Sequence, residues 1–396
     1  MKNKLLFCGI GLLSSCLTSS AYADEPLSRD ELTIWVSEHK GYTGMVKVAA
    51  KFEHDTGYRI NVEHFDSLPA KFQERASCGG GPDILVWAHD RYGEWTKLGL
   101  LEEIKPTKEE LEKFYDISWD AMKINGKYYG YPFAVEAVSL ICNRDLVPNP
   151  PKTFEEFMTL DAEMQEKGKH AFLWDYNNVY YSYPILSANG GYSYKRNEDG
   201  SYDIQNIGVS NEGAQKGLNY IVKMVQGGHL PIQTEYKSME ADFIDGKVGC
   251  IINGPWGWKN YKNMNYSVNT FPTLEGKQGK PFVGVLGLVI NKSSSHKEAA
   301  RKFLTEYLLT DYGYEEVNNA SQLGSVALKS FETKLESDPR IMTTMKNAQS
   351  GVIMPNVPEM NIFWSSVREA IKRATSGRQT ADKALKTAES RIRKVK

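Results

Sequence analysis

From residue 31 onward, short runs of β-branched and aromatic residues alternate with longer stretches whose apolar positions recur every three or four residues. Leu32 to Val36 predicts a strand. Gly44 to Thr56 predicts a helix, with Val46, Ala49, Ala50 and Phe52 on one face and Gly57 as its stop. Tyr58 to Glu63 predicts a second strand, a short helix surrounds Lys71, and Gly79-Gly80-Gly81-Pro82 leads into a strand from Asp83 to Trp87. Asp90 to Leu98 then reads as helical. A second unit of the same style begins after Tyr131-Pro132, with Ala137 to Cys142 as a strand. Thr153 and Glu156 have capping-box spacing ahead of a long helix. Further on come a helix from Ser210 to Val225, strands Val248 to Ile252 and Val283 to Asn291, and a helix from His296 to Leu309. Phe363, Val367, Ala370, Ile371 and Ala374 form one apolar helical stripe near the end. Such alternation predicts an α/β protein on largely parallel sheets. No internal repeat and no low-complexity linker separates the two units, so they are expected to share more than one crossover and to hinge.

The first 23 residues fit an export signal: Lys2 and Lys4, an apolar run from Leu5 to Leu17, then Ala21-Tyr22-Ala23 as a small-x-small cleavage site. Removing them from 396 residues leaves 373 and takes away two lysines and no acid, so the net charge of −1 becomes −3. Leu13-Ser14-Ser15-Cys16 also resembles a lipobox, which makes lipid anchoring at Cys16 an alternative. No later stretch has the length and apolarity of a transmembrane helix, so a soluble mature protein is expected. The near-neutral charge argues against nucleic acid or an anionic membrane as partner, because either calls for a clustered basic surface. Cys8 and Cys16 fall in the signal; Cys78, Cys142 and Cys250 remain, an odd trio without the spacing of a disulfide framework or metal site. Cys142 and Cys250 lie in apolar strand-like runs and are expected to be small buried hydrophobes.

Catalytic signatures are thin, with no GxSxG, HExxH, Walker A loop or GxGxxG opening a helix. The seven histidines never take metal-ligand spacing, so neither a metal nor a cofactor is expected. Aromatic residues instead stand beside charged planar groups at strand ends, where open α/β sheets place ligand crevices. Trp87-Ala88-His89-Asp90-Arg91 ends a strand; Glu136 follows Tyr131-Pro132; Tyr180 follows Trp174; Trp256 follows the turn at Asn253; Trp364 precedes Arg368 by one helical turn. A pyranose has apolar faces and a rim of hydroxyls, and is held by aromatic faces and charged hydrogen-bonding groups. Each residue also has a plainer role open to it: a strand-end Trp as core, Asp90 as a helix cap, Arg368 stacked on Trp364 at the surface.

At these residues the chain resembles the periplasmic maltose/maltodextrin-binding proteins of bacterial ABC transport systems. The similar strings run almost end to end, among them Gly81-Pro82-Asp83 through Arg91, Tyr131-Pro132 through Ala137, Pro148 through Thr153, Ile252 through Trp256, Lys280 through Leu286, Ile353-Met354-Pro355-Asn356, Phe363-Trp364 and Ser376 through Thr380. The resemblance implies a two-lobed type II periplasmic binding-protein fold, each lobe a mostly parallel sheet flanked by helices, with several hinge crossovers. One lobe would hold residues 24–134 plus 284–335, the other 139–282 plus 340–396. It implies sugar contacts from Lys40, Trp87, Ala88, Asp90, Arg91 and Glu136 on the first lobe and from Tyr180, Trp256, Met354, Trp364 and Arg368 on the second. Asp90, Arg91 and Glu136 would take hydroxyls; Tyr180, Trp256 and Trp364 would stack on sugar faces. The implied partners are maltose or maltodextrin, an inner-membrane ABC transporter and a chemoreceptor, and the implied state is a periplasmic monomer.

The chain departs from the family pattern where His39 replaces an acid, Pro69 and Ala70 replace a carboxylate pair, Asn178 replaces an acid and Ser365 replaces a tyrosine. These departures leave the preferred glucan open, and a cyclodextrin or another disaccharide stands as an alternative. A glycoside hydrolase using Asp90 and Glu136 as its carboxylate pair is the rival from a different class.

Overall fold

The computed structural model describes residues 31–394 apart from 66, 199 and 322. The predicted signal, with Cys16, lies outside the described residues. Among the described residues no helix is long and apolar enough to cross a membrane.

Apolar side chains collect into two cores. The first joins Leu32, Phe52, Trp95, Phe133, Val285 and Phe303; the second joins Leu140, Phe172, Trp174, Ile251, Phe282 and Phe363. Each core packs on its own sheet. The larger sheet runs Ser325–Val326, Tyr131–Ala137, Phe282–Ile290, Ile84–Ala88, Glu31–Trp35, Arg59–Glu63, with Val352–Ile353 also paired to Phe282–Ile290. The smaller runs Tyr266–Asn269, Ser139–Asn143, Val248–Asn253, His170–Leu173. The α/β class and two-lobed form are as expected, but the sheets are mixed and not mostly parallel. Glu31–Trp35 pairs in parallel with both of its neighbours, whereas Phe282–Ile290 runs antiparallel to Ile84–Ala88 and to Tyr131–Ala137. In the smaller sheet only Val248–Asn253 with His170–Leu173 is parallel. Period alone does not distinguish these cases, because a strand buried on both faces is continuously apolar in either direction. Every residue of Phe282–Ile290 and of Tyr131–Ala137 is buried.

Local signals in the sequence hold well. Gly57 ends the helix Tyr42–Thr56 at φ 76°, a conformation that costs glycine nothing sterically. Thr153 and Glu156 form the reciprocal capping box ahead of Phe154–Gln165. The stretch expected as one helix from His296 to Leu309 is a helix Lys297–Lys302 that widens into a π-helical turn at Phe303–Leu308, burying Phe303, Leu304 and Leu308.

The two cores meet along three hydrogen-bonded neighbours. The chain makes three strand crossings between the cores, between Ala137 and Val138, between Phe282 and Val283, and between Ile353 and Met354, and the helix Pro339–Ser350 also spans both, with Ile341 in the second core and Ala348 in the first. Val283 is paired with Ala137 on one side and Ile353 on the other, so all three crossings lie at one level. His89 pins this level. Its Nδ1 accepts from the Val285 amide at 2.9 Å and its Nε2 donates to the Met354 carbonyl at 2.8 Å, which fixes the neutral Nε2–H tautomer. Burial pushes the imidazole down to about 4.

Cys142 and Cys250 are not separate buried hydrophobes: they face each other in the antiparallel pair and form a disulfide. Their separation of 108 residues hid the pairing from any reading of spacing.

Two outcomes follow. Replacing both cysteines by alanine should cost roughly 2–4 kcal/mol, as expected for a cross-link closing a long loop, read as a lower denaturation midpoint. Labelling of Cys142 and Cys250 in the denatured, unreduced protein would contradict the bond. For His89, whose folded value lies below the ordinary 6.5, the unfolded chain binds more protons between those values. Its contribution is therefore complete above pH 6.5 and is lost as pH falls toward 4, and imidazole NMR should show a neutral ring at pH 5.5; a doubly protonated ring there contradicts the pin.

Candidate functional site

Directly above the crossings, side chains from both cores converge. Lys40 ends a short turn, Glu38–Lys40, after the first strand, and Gly41 at φ 94° turns the chain into the next helix. A Cβ at Gly41 would lie 2.4 Å from Val317 Cγ1, so the position needs glycine for space as well as for conformation. So placed, the Lys40 ammonium donates to Glu136 Oε1 at 2.5 Å and Oε2 at 2.6 Å, and stands 4.2 Å from the centroid of the Trp256 ring. Glu136 is only 9 % exposed. Losing water costs both charges several kcal/mol, and the two-oxygen geometry with an aromatic face beside it is what offsets that.

Trp256 enters from the other core. Asn253 ends the strand Val248–Asn253, accepts from the Gly254 amide at 2.9 Å and donates to Tyr261 Oη at 2.6 Å, fixing the turn that projects the indole. A Cβ at Gly254 would lie 2.2 Å from the Trp256 ring. Tyr180 comes from the helix Val179–Ser187, capped by Asn178, whose Oδ1 accepts from the Tyr180 amide at 3.2 Å. Its ring is 6.2 Å from that of Trp256. Burial, followed by the charges of Glu136 and Asp90, drives the Tyr180 phenol well above its ordinary value, so it stays a hydrogen-bond donor. Gly284, paired with Glu136, leaves the space that Met354 and Tyr180 use: a Cβ there would be 3.2 Å from Met354 Cε and 3.9 Å from Tyr180 Oη.

A second group forms around Asp90, in the turn His89–Arg91 after the strand Ile84–Ala88. Asp90 caps no helix. Burial pushes its carboxyl up to about 6, against the opposing pull of the Arg91 charge and the Trp364 indole N–H. Trp364, on the helix Met360–Thr375 of the second core, is anchored edge-on against Phe282 at 5.3 Å. Arg91 lies 3.9 Å from Asp90 Oδ2 and 3.6 Å from Glu94 Oε2, and it donates to Asn361 Oδ1 across the gap between the lobes.

The expected residues thus fall into distinct places. Lys40, Glu136, Trp256, Tyr180 and Met354 come together at the crossings, and Asp90, Arg91 and Trp364 come together beside them. Ala88 packs against the second core although its strand belongs to the first. Trp87 is half-buried against the first core, its carbonyl accepting from Tyr92 Oη at 3.1 Å; among the described residues no aromatic ring contact joins it to Trp256 or Trp364. Arg368 is exposed one turn beyond Trp364, where its charge opposes the burial that raises the Asp175 carboxyl. Among the departures, Asn178 is spent as a cap and the exposed Ser365 donates to the Ile362 carbonyl at 3.2 Å. His89, Glu94 and Asn361 were not singled out as site residues. Arg91 and Glu94 have i,i+3 spacing, a local signal for a pair; Asn361 meets them only through the fold.

Comparison with known proteins agrees with this architecture. Residues 47–343 match the family described as bacterial extracellular solute-binding protein. A galactooligosaccharide-binding protein of Bacillus subtilis (strain 168) is 29% identical, covering 98% of this chain and 94% of its own length. A maltodextrin-binding protein of the same organism is 31% identical over 94% of this chain and 91% of its own. A maltooligosaccharide ABC transporter solute-binding lipoprotein of Streptococcus pneumoniae (strain ATCC BAA-255 / R6) is 28% identical over 97% and 94%. With a family match across most of its length and its sheets crossing between two cores beneath a cluster of rings and charges, the chain belongs to the bacterial extracellular solute-binding proteins.

Proposed function

We propose that the protein is a periplasmic receptor, released by cleavage of its signal, that captures maltose and maltodextrins by closing its lobes. It then delivers them as a monomer to an inner-membrane ABC importer, with a chemoreceptor as a further partner. The observation that carries this reading is that contacts of the site join the two cores: Lys40 of the first lies on Trp256 of the second, and Asp90 of the first faces Trp364 of the second. A ligand shifts a two-state equilibrium only through contacts better made in one state, and groups divided in this way are complete only when the lobes are closed. Rings at Tyr180, Trp256 and Trp364 offer apolar faces, and Asp90, Glu136 and Lys40 offer hydrogen-bonding edges, as an oligosaccharide requires. The maltodextrin and maltooligosaccharide specificities of two relatives support the substrate class. The lipoprotein relative keeps anchoring at Cys16 as the alternative to release.

A galactooligosaccharide is the second reading. It is favoured by the relative of that name. Hydrolysis is disfavoured, because Lys40 holds both oxygens of Glu136 and leaves that carboxylate poorly placed to attack.

Tryptophan fluorescence titration with maltose, maltotriose, longer maltodextrins, cyclodextrin and galactooligosaccharides tests both readings. Saturable change with the α-glucans is expected, and none with any of them overturns the first. Trp364→Ala should weaken binding by about ten- to a hundredfold, the worth of roughly 1.5–3 kcal/mol for one buried ring. Affinity should rise as pH climbs through about 6, because a sugar hydroxyl binds the ionised Asp90 carboxylate more strongly than the neutral acid. Asp90→Asn should flatten that profile, and an unchanged slope would remove Asp90 from the site. Incubation with maltodextrin should release no shortened chains; product in excess of protein would make it an enzyme.

A further inference from the structure

Beside the proposed sugar site a polar bridge crosses from lobe to lobe. Arg91 donates to Asn361 Oδ1, and the Asn361 amide donates in turn to Glu94 Oε2 at 2.5 Å. Glu94 is held from behind by Gln73, whose amide donates to Glu94 Oε1 at 3.3 Å, and Gln73 Oε1 accepts from Trp95 Nε1 at 3.2 Å. The bridge has no slack on its hinge side. The loop leading to Asn361 runs so close to the helix Tyr92–Lys97 that a Cβ at Gly93 would lie 1.9 Å from the Asn356 carbonyl oxygen, and Asn356 Nδ2 donates to the carbonyls of Ala121 and Lys123 at 3.1 and 2.8 Å.

The bridge stands one residue from Asp90 and one helical turn from Trp364, at the edge of the proposed site. On the first lobe Arg91 and Glu94 also line a groove of about 450 Å³, with Pro69, Ala70 and Gln73 on its other wall. Arg91 therefore meets Asp90 on one side and the groove on the other, with Glu94 beside it in the groove wall.

We infer that the Arg91–Asn361–Glu94 bridge is a wall that ends the sugar channel and sets the length of oligosaccharide the protein accepts, with Glu94 and Asn361 as its specificity-determining residues. The inference rests on the oligosaccharide-binding reading above. With the wall in place, short ligands are confined to the space between Lys40 and Trp364. Without it, the channel opens onto the Pro69–Gln73 groove and a longer chain gains contacts there. An alternative role for the same hydrogen bonds is a latch that favours closure whatever the ligand. A latch would change affinity by one factor for all chain lengths, whereas a wall changes the ratio between them.

The test is calorimetric titration of the wild type, Asn361→Ala, Glu94→Ala and Asn361→Leu with length series of maltodextrins and of galactooligosaccharides. The wild type should prefer the short members of whichever series it binds. Asn361→Ala and Glu94→Ala should each shift the short-to-long affinity ratio by about tenfold toward the longer sugars, the scale of one added polar contact. Asn361→Leu, which keeps the bulk and removes the hydrogen bonds, should retain the short preference, so a length effect is separable from loss of the bridge. Equal weakening toward all lengths, or a wild type already favouring the longest chains, overturns the wall. If the wild type binds neither series, the oligosaccharide reading itself falls; if it binds and the ratio does not move, only the wall does.

Discussion

The antiparallel pairing of Tyr131–Ala137 with Phe282–Ile290 is the constraint on which the rest depends. These two strands, with Val352–Ile353 alongside, leave one hydrophobic core and enter the other at neighbouring residues. Because they are hydrogen-bonded to each other, the lobes cannot separate as beads on a string; they can only turn about this shared level. The same strands carry or make room for residues of the candidate site. Glu136 sits opposite Gly284, and the missing side chain at Gly284 lets Met354 and Tyr180 approach from the second core. His89, neutral and buried, ties the Asp90 turn to both Val285 and Met354, so the position of Asp90 is tied to the crossings as well.

Electrostatics explain why rings and charges coexist in so small a space. Lys40 and Glu136 are each partly removed from water and compensate one another, while Trp256 lends the ammonium a polarisable face. Asp90 lacks such a close partner, since Arg91 is 3.9 Å away and is also engaged with Asn361 and Glu94. Burial therefore dominates and its carboxyl rises to about 6. One carboxylate of the candidate site is thus paired with an ammonium, and the other stands buried without a close cation.

Much of this could be read from residue order, and the parts that could not share a cause. Helix starts and stops are local, so the Thr153–Glu156 box and the Gly57 stop were legible. The residues of the candidate site stand in strings, Trp87 through Arg91 and Ile252 through Trp256, because groups at a strand end are neighbours in the chain. Strand direction was not legible, since Phe282–Ile290 is apolar throughout and its partners are set by topology. Nor was the Cys142–Cys250 bond, which depends on register across 108 residues, or Asn361, whose partners Arg91 and Glu94 lie far away in sequence. Trp87 was open to either role from its place at a strand end, core or sugar contact, and it packs half-buried against the first core.

The central claim is that one ligand engages groups from both lobes and so closes them about the three crossings. Spin labels at Leu98 on the first lobe and Ile232 on the second, which are 51% and 71% exposed, would report it by pulsed electron resonance without disturbing either core. Saturating oligosaccharide should narrow the distance distribution between them and move it to shorter values. A bound ligand that leaves this distribution as broad and as long as in the free protein would contradict the account.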